Sequence, residues 1–291
     1  MKGSARCDER YPFMTCDLHI HSTYSDGSQT PGEIVDEAIE RSLSAIAIAD
    51  HDTVQGVPPA IEAARGSDIR VIPAVEISTE FKQIDIHILG YWIELDNERL
   101  LDKLLYVREA RKVRAEEIVG KLRTLGIEIS LEDVTQQSDG VTLGRPHVAQ
   151  ALMAGGYVTG MKEAFTRYLG RDRPAFVPRY KLTPAEAVEA VLGAEGCPVL
   201  AHPALGVPDH MIEALIEAGI EGLEAYHNHH SPSNVRRVIG IAREHGLLVT
   251  GGTDSHGPKG SYPVRVGDVD VPDECAEGLI AWAEERGVAR P

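Results

Sequence analysis

The chain has 291 residues and a formal net charge of −16, with 43% hydrophobic and only 5% aromatic residues. That length supports one sizeable core, or a core domain carrying a smaller insertion, and the acidic balance excludes charge-driven wrapping of a long polyanion, which needs a Lys/Arg surplus. No apolar run suits a membrane span, the first residues lack the apolar stretch of a signal peptide, and Cys7, Cys16, Cys197 and Cys275 form neither a CxxC pair nor a disulfide framework, so a soluble, cytoplasmic α/β protein is expected.

In chain order, a tail over residues 1–15 leads to a strand expected at Cys16–Ile20. Thr30-Pro31-Gly32-Glu33 then places an N-cap, an N1 proline and an N3 glutamate ahead of the apolar stripe Val35, Ala38 and Ile39, which marks a helix start. Strands follow at Ala45–Ala49, Val71–Glu76 and Ile86–Tyr91, and later at Val199–Ala201, Leu223–Ala225 and Leu248–Thr250. Thr183-Pro184-Ala185-Glu186 repeats the helix-start device, and Met211–Ala218, Asn234–Glu244 and Glu274–Glu285 fit further helices. Apolar runs alternating with helical patterns predict a mostly parallel sheet, as a barrel or an open doubly wound sheet. Between the fourth and fifth strands the alternation breaks. Residues 97–181 read as a helical insertion, and 16–96 with 182–291 as the main domain.

The charge is unevenly placed. Residues 98–181 carry 15 Lys/Arg against 11 Asp/Glu, whereas the remainder carries 14 against 34. A basic segment in an acidic chain is either a solvated helical face or a place where an anionic substrate is handled.

The twelve histidines are informative by position. His19 and His21 close the first strand, and residues i and i+2 of a strand point the same way. Asp26 follows within a turn. Asp50-His51-Asp52 ends the second strand and Glu76 the third, His87 lies in the fourth, His202 ends the fifth, and Asp254-Ser255-His256 follows the seventh. In parallel α/β folds the strand ends are where sites are built. Six histidines and three carboxylates converging on one rim call for cations between them. Mixed imidazole and carboxylate ligands without cysteine suit Mn²⁺, Fe²⁺ or Zn²⁺ in a catalytic, multinuclear site.

These stretches resemble the PHP (polymerase and histidinol phosphatase) metal-dependent phosphoesterases, through Asp17–His21, Asp50–Asp52, Glu76 with His87, Ala-His-Pro at His202 and Asp254–His256. The resemblance implies a distorted (β/α)7 barrel with a mostly helical insertion domain, holding two or three divalent metal ions, Mn²⁺ foremost. By that resemblance His19, His21, Glu76 and Asp254 hold one ion. Glu76 bridges to a second, held also by His87 and His202, and Asp26, His51 and His256 hold the third. Gly144-Arg145-Pro146-His147-Val148-Ala149, Phe165, Tyr168-Leu169 and Phe176-Val177-Pro178 look like the branch of single-chain nucleotide phosphoesterases. Members of that branch act on nucleoside 3′,5′-bisphosphates, AMP, short RNA or cyclic phosphodiesters.

The expected chemistry is hydrolysis of a phosphate ester by a hydroxide held between the ions, since metals neutralise the phosphate oxygens and lower the pKa of a bound water to about 7. Asp254 is the candidate proton acceptor and His227 the candidate acid for the leaving group. Arg145, His147 and Arg179 are candidates for binding phosphate, Arg because its fork matches two phosphate oxygens. Tyr157, Phe165, Tyr168 and Phe176 could stack one base or pack the insertion. The expected substrates are nucleoside 3′,5′-bisphosphates, AMP or short 5′-phosphorylated RNA. A phosphodiesterase of a small cyclic phosphate is the alternative, ahead of a non-catalytic metal-stabilised binding module or an amide hydrolase. None of the nine ligand positions is degraded, which counts against the binding module, and the basic insertion favours phosphate over a neutral amide.

Overall fold

The computed structural model describes residues 15–82, 84–137, 143–178, 182–260 and 263–288. The first half runs β1 (Thr15–Ile20), α1 (Pro31–Glu40), β2 (Ala45–Ile48), α2 (Val57–Ala63), β3 (Arg70–Phe81) and β4 (Ile84–Tyr91). A helical stretch follows: α3 (Glu98–Thr124), α4 (Leu131–Thr135), α5 (Arg145–Ala154), α6 (Met161–Ala164) with a π-helical turn over Phe165–Leu169, and α7 (Pro184–Gly193). The chain ends with β5 (Cys197–Leu200), α8 (Asp209–Glu217), β6 (Gly222–His227), α9 (Pro232–His245), β7 (Leu248–Gly252), β8 (Val271–Pro272) and α10 (Glu274–Arg286). The helix starts at Thr30 and Thr183 are capping boxes, as their sequences predict. No helix among the described residues is long and apolar enough to cross a membrane.

The strands form one sheet in the order β7-β6-β5-β4-β3-β2-β1-β8. It curls until its two halves meet: Asp254 N–H donates to His19 O at 2.8 Å and His21 N–H to Ser255 O at 2.9 Å. A Cβ on Gly252 would lie 2.4 Å from His19 Cβ and 2.5 Å from its backbone nitrogen, so the seam closes only with glycine there. The result is a nearly closed, barrel-like sheet surrounded by helices.

The expected parallel course fails at β4. It is antiparallel to β3 and to β5, while β1–β2–β3 and β5–β6–β7 are parallel. The third strand continues past Glu76 to Phe81 and pairs with β4 from Ala74↔Tyr91 to Phe81↔Ile84. A turn this short joins only antiparallel neighbours, because a parallel crossover needs a dozen or more residues. The short β8, antiparallel to β1 through Thr15↔Pro272 and Cys16↔Val271, is an element the sequence pattern did not reveal.

Period-2 alternation connects core to site. Along β3, Ile72, Ala74 and Glu76 share a face, and along β4 so do Tyr91, Leu89 and His87. The same rows bury apolar residues on the barrel floor with Leu18, Ala47 and Val199 and carry imidazole or carboxylate at the rim. In the helical stretch, Ile118, Val119 and Leu122 of α3 join Val148, Leu152, Leu169 and Val177 in a core of their own. The first turns of α3 pack instead on the barrel side, where Leu100, Leu104 and Val107 meet Ile86, Ile88 and Val188.

Candidate metal centre

All nine sequence-predicted ligand positions meet at one rim. β1 supplies His19 and, just beyond its end, His21, and Asp26 returns on the following turn. The stretch after β2 supplies His51, β3 supplies Glu76, and the loops after β5 and β7 supply His202, Asp254 and His256. His87 belongs to the first half of its strand, and the antiparallel direction of β4 is what brings that half to the rim. Asp52, His202 and Asp254 have positive φ (55°, 29° and 51°), a conformation uncommon outside glycine that clusters at functional sites.

Glu76, fully buried, is the hub. Its Oε1 faces His87 Nδ1 at 2.8 Å, His202 Nε2 at 3.2 Å and His19 Nε2 at 3.5 Å, and its Oε2 faces His51 Nδ1 at 2.8 Å and His21 Nε2 at 3.4 Å. Asp254 Oδ1 lies 3.0 Å from His21 Nε2 and 3.6 Å from His19 Nε2. Asp26 Oδ1 lies 3.2 Å from His256 Nε2. Burial would raise the Glu76 carboxyl, but the imidazoles of His87, His51 and His19 outweigh it and hold it well below the ordinary value. Burial likewise opposes ionisation of Asp254 and is overcome by His19, with hydrogen bonds to His21 and His227.

The donor set fits divalent cations. Three groups offer ligand atoms within 4.8 Å of one another: His21, Asp26, His51 and His256; His19, His21 and Glu76; and His51, Glu76 and His87. His19 Nδ1 is committed to Glu224 Oε1 at 2.9 Å, which leaves a lone pair on Nε2, and that nitrogen lies 3.2 Å from His21 Nε2. Glu76 Oε2 and His21 Nδ1 are buried and make no hydrogen bond. Nitrogen and oxygen donors without sulfur, aimed at shared points, are what borderline and hard divalent metals take.

His227, expected as a leaving-group acid, is buried with Nε2 3.5 Å from Asp254 Oδ2. Its Nδ1 accepts from His229 N–H at 3.2 Å, which assigns the proton of a neutral ring to Nε2. Gly144 caps α5, with Arg145 and Pro146 in its first turn. His147 Nδ1 accepts from Gly144 N–H at 3.0 Å. Arg145 lies over the Phe165 ring, 5.6 Å from its centroid. Arg145, His147 and Phe165 line a cavity of about 200 Å³ that opens on Asp26 and His51. Of the other aromatics, Tyr157 and Tyr168 pack against the helical core. Arg179, the third candidate for phosphate, lies outside the described residues.

Sequence reasoning missed three partners. Arg111 and Arg114, on α3, line the same cavity as Arg145. Arg111 also forms a bidentate pair with the buried Asp52 Oδ2, through Nε at 2.8 Å and Nη2 at 2.6 Å, and donates to Ser78 Oγ at 2.6 Å. Burial, then Arg145 and Arg111, push Arg114 down to about 10. Crowded guanidinium groups in a partly buried cavity favour an anion. Glu224, fully buried on β6, is the third, and no spacing rule distinguished it from a strand acid.

A PHP domain model matches residues 17–109. The chain is 32% identical over 249 residues to the 5′-3′ exoribonuclease Rnm of Escherichia coli (strain K12), covering 83% of this chain and 85% of that protein. It is 32% identical over 283 residues to the 3′,5′-nucleoside bisphosphate phosphatase of Chromobacterium violaceum, covering 94% and 98%. A crystal structure from Bifidobacterium adolescentis assigned to the metal-dependent phosphoesterases superposes with a TM-score of 0.83 at 31% identity, covering 93% of this chain and 96% of that one. With this donor set at the strand ends, the chain belongs to the PHP-domain family of metal-dependent phosphoesterases, hydrolases of phosphate esters.

Proposed function

We propose that the protein hydrolyses phosphate esters of small nucleotides: nucleoside 3′,5′-bisphosphates, AMP or short 5′-phosphorylated RNA. The observation that carries this reading is the cavity lined by Arg111, Arg114 and Arg145, which opens directly on Asp26 and His51. A neutral amide substrate leaves such a cavity without a purpose, and a long strand does not fit its volume. The names of the two relatives, an exoribonuclease and a bisphosphate phosphatase, support the same substrate class.

In this reading His19, His21, Asp26, His51, Glu76, His87, His202, Asp254 and His256 hold two or three divalent ions, Mn²⁺ foremost, and residues 97–181 serve as the substrate-binding part. Bound divalent cations supply charge neutralisation of the phosphate and acidification of a water. The protein's own groups do the rest. Arg145 and Arg114 orient non-bridging oxygens through charge-assisted hydrogen bonds. The Arg145 backbone N–H, at the start of α5, adds a weaker attraction for the same anion. Asp254, ionised and beside the reacting position, accepts a proton. His227, with Nε2–H turned toward the same carboxylate, is the proposed donor to the leaving oxygen in its doubly protonated form, which requires Nδ1 to give up the His229 N–H and take a proton.

The test measures phosphate release and product identity with Mn²⁺ supplied, from adenosine 3′,5′-bisphosphate, AMP, a 5′-phosphorylated RNA dinucleotide and a five-membered-ring cyclic phosphate. Release of phosphate or of a 5′-mononucleotide from the first three is expected. Turnover of the cyclic diester alone overturns the monoester reading.

A further inference from the structure

A second cavity, of about 340 Å³, shares Asp26, Pro146 and His147 with the arginine-lined one and extends along α5 to the loops after β6 and β7. It reaches the centre at Asp254 and His256, and its walls are the amides of Gln150 and Asn228 with the imidazole of His229. Lys259, exposed, stands at its edge.

Two side chains that line this cavity carry a buried amide atom without a partner. Asn228 Nδ2 donates to Thr253 O at 2.8 Å, which fixes the amide, because a flip would set oxygen against oxygen. Its Oδ1 is then an acceptor, and it is buried without a hydrogen bond. Gln150, on α5, also carries a buried amide atom without a partner, and with no contact to orient it this amide offers either its oxygen or its N–H₂ there. Buried unpaired polar atoms are costly and uncommon, so two on side chains that line one cavity beside a reaction centre point to a ligand that pairs with them.

We propose that this cavity holds the alcohol half of the substrate, and that Asn228 Oδ1 and the Gln150 side-chain amide hydrogen-bond its hydroxyl groups, selecting a ribose-like alcohol over a deoxygenated one. The inference rests on the nucleotide reading above and deepens it. The cavity adjoins Asp254, so the group entering it first is the one bonded to the ester oxygen. In a nucleotide that group is the sugar, and the base lies several bonds further out. Lys259 at the edge suits a ligand that carries negative charge.

The test compares kcat/KM for AMP and 2′,3′-dideoxyadenosine 5′-monophosphate in the wild type, in Gln150→Leu and in Asn228→Ala, with metal content measured for each. The wild type is expected to prefer the ribonucleotide by roughly tenfold or more, and each variant to lose several-fold of that preference, the size of one or two neutral hydrogen bonds. Gln150→Leu leaves the Asn228–Thr253 tether in place, so it reads out the amide contact even if Asn228→Ala loosens the loop before Asp254. No preference in the wild type, or a parallel loss on both substrates with the ratio kept, overturns the proposal. So does a difference that follows the adenine amino group, tested with purine riboside 5′-monophosphate, because the amides then serve the base. If neither nucleotide is hydrolysed, the nucleotide reading fails instead. The same ratio is then read with ribose 5-phosphate and 2-deoxyribose 5-phosphate, by calorimetric binding if turnover is absent, and an equal response to the pair overturns the sugar subsite.

Discussion

Glu224 accepts the Nδ1 hydrogen of His19 at 2.9 Å with one carboxylate oxygen and the backbone N–H of His202 at 2.7 Å with the other. One buried carboxylate thereby orients an imidazole from the first strand and fixes the loop that presents another from the fifth. Burial would lower the His19 pKa, and Glu224, Glu76 and Asp254 together hold it well above the ordinary value.

Replacing Glu224 with Gln leaves one good acceptor and turns an N–H₂ toward a partner that is itself a donor. Divalent-metal affinity is expected to fall about 10- to 100-fold, the usual cost of losing a carboxylate behind a ligating histidine. Mn²⁺ titration in competition with a chelator checks this. An unchanged affinity with lost activity assigns Glu224 a different role.

Metal binding is expected to release protons. In the metal-free cluster burial lowers the His256 pKa, but Asp26 and Asp254 outweigh it and raise the ring to about 10 from the ordinary 6.5. A raised histidine contributes stability that is fully present below its unfolded pKa and is lost as pH rises through the folded one. Its proton therefore stabilises the metal-free fold below pH about 6.5 and progressively less toward pH 10. A cation must displace that proton, so affinity rises across the same window, by about tenfold per pH unit for one proton displaced. Titration in weakly buffered solution at pH 7 to 9 measures both the release and the slope. A flat profile removes His256 from the ligand set.

Arg145→Ala is expected to raise KM or lower kcat/KM by about 10- to 100-fold, matching one lost hydrogen bond between charged groups. Metal content should stay intact. Loss of metal in this variant contradicts its placement on the substrate.

Arg111→Ala strands the buried Asp52 carboxylate, which then keeps the Ser78 N–H at 2.8 Å but loses its bidentate partner. Breaking a buried pair in this way costs about 3–5 kcal/mol. Adding Asp52→Asn removes the stranded charge, and asparagine tolerates the positive φ at that position. The double variant is expected to recover much of the denaturation midpoint lost by the single one. Equal midpoints for Arg111→Ala and the double variant refute the pairing as a stability element.

Six of the nine candidate ligand positions were legible as short words at strand ends, His-x-His, Asp-His-Asp, Ala-His-Pro and Asp-Ser-His, whereas Asp26, Glu76 and His87 belong to no such word. Alternation predicted the strands, and the Thr-Pro-x-Glu devices predicted the helix starts. The direction of β4 was present but unread, since only nine residues separate Glu76 from Ile86, too few for a crossover helix. Arg111 and Arg114 were not distinguishable from a solvated helical face. They lie more than thirty residues before Arg145, and only the placement of α3 against α5 turns them into one cavity. Nothing in Leu-Glu-Ala sets Glu224 apart from an ordinary strand acid, because burial comes from the closing of the barrel and leaves no mark in local pattern. The two cavity amides were silent for the same reason.

The reversed fourth strand also governs how this enzyme can diversify. β4 finishes at the rim opposite the catalytic one, so the chain must travel the height of the barrel to return. The 27 residues of α3 span about 40 Å and make that ascent, touching Asp52 through Arg108 and Arg111 on the way. The descent is α7, packed beside it on the outside of the sheet. The helices between these two struts leave the sheet after β4 and return before β5, and the two strands pair directly, so the stretch interrupts no strand. On the proposed assignment of residues 97–181 to substrate binding, new specificity is expected to come from refitting this roof while the strands beneath keep their pairing.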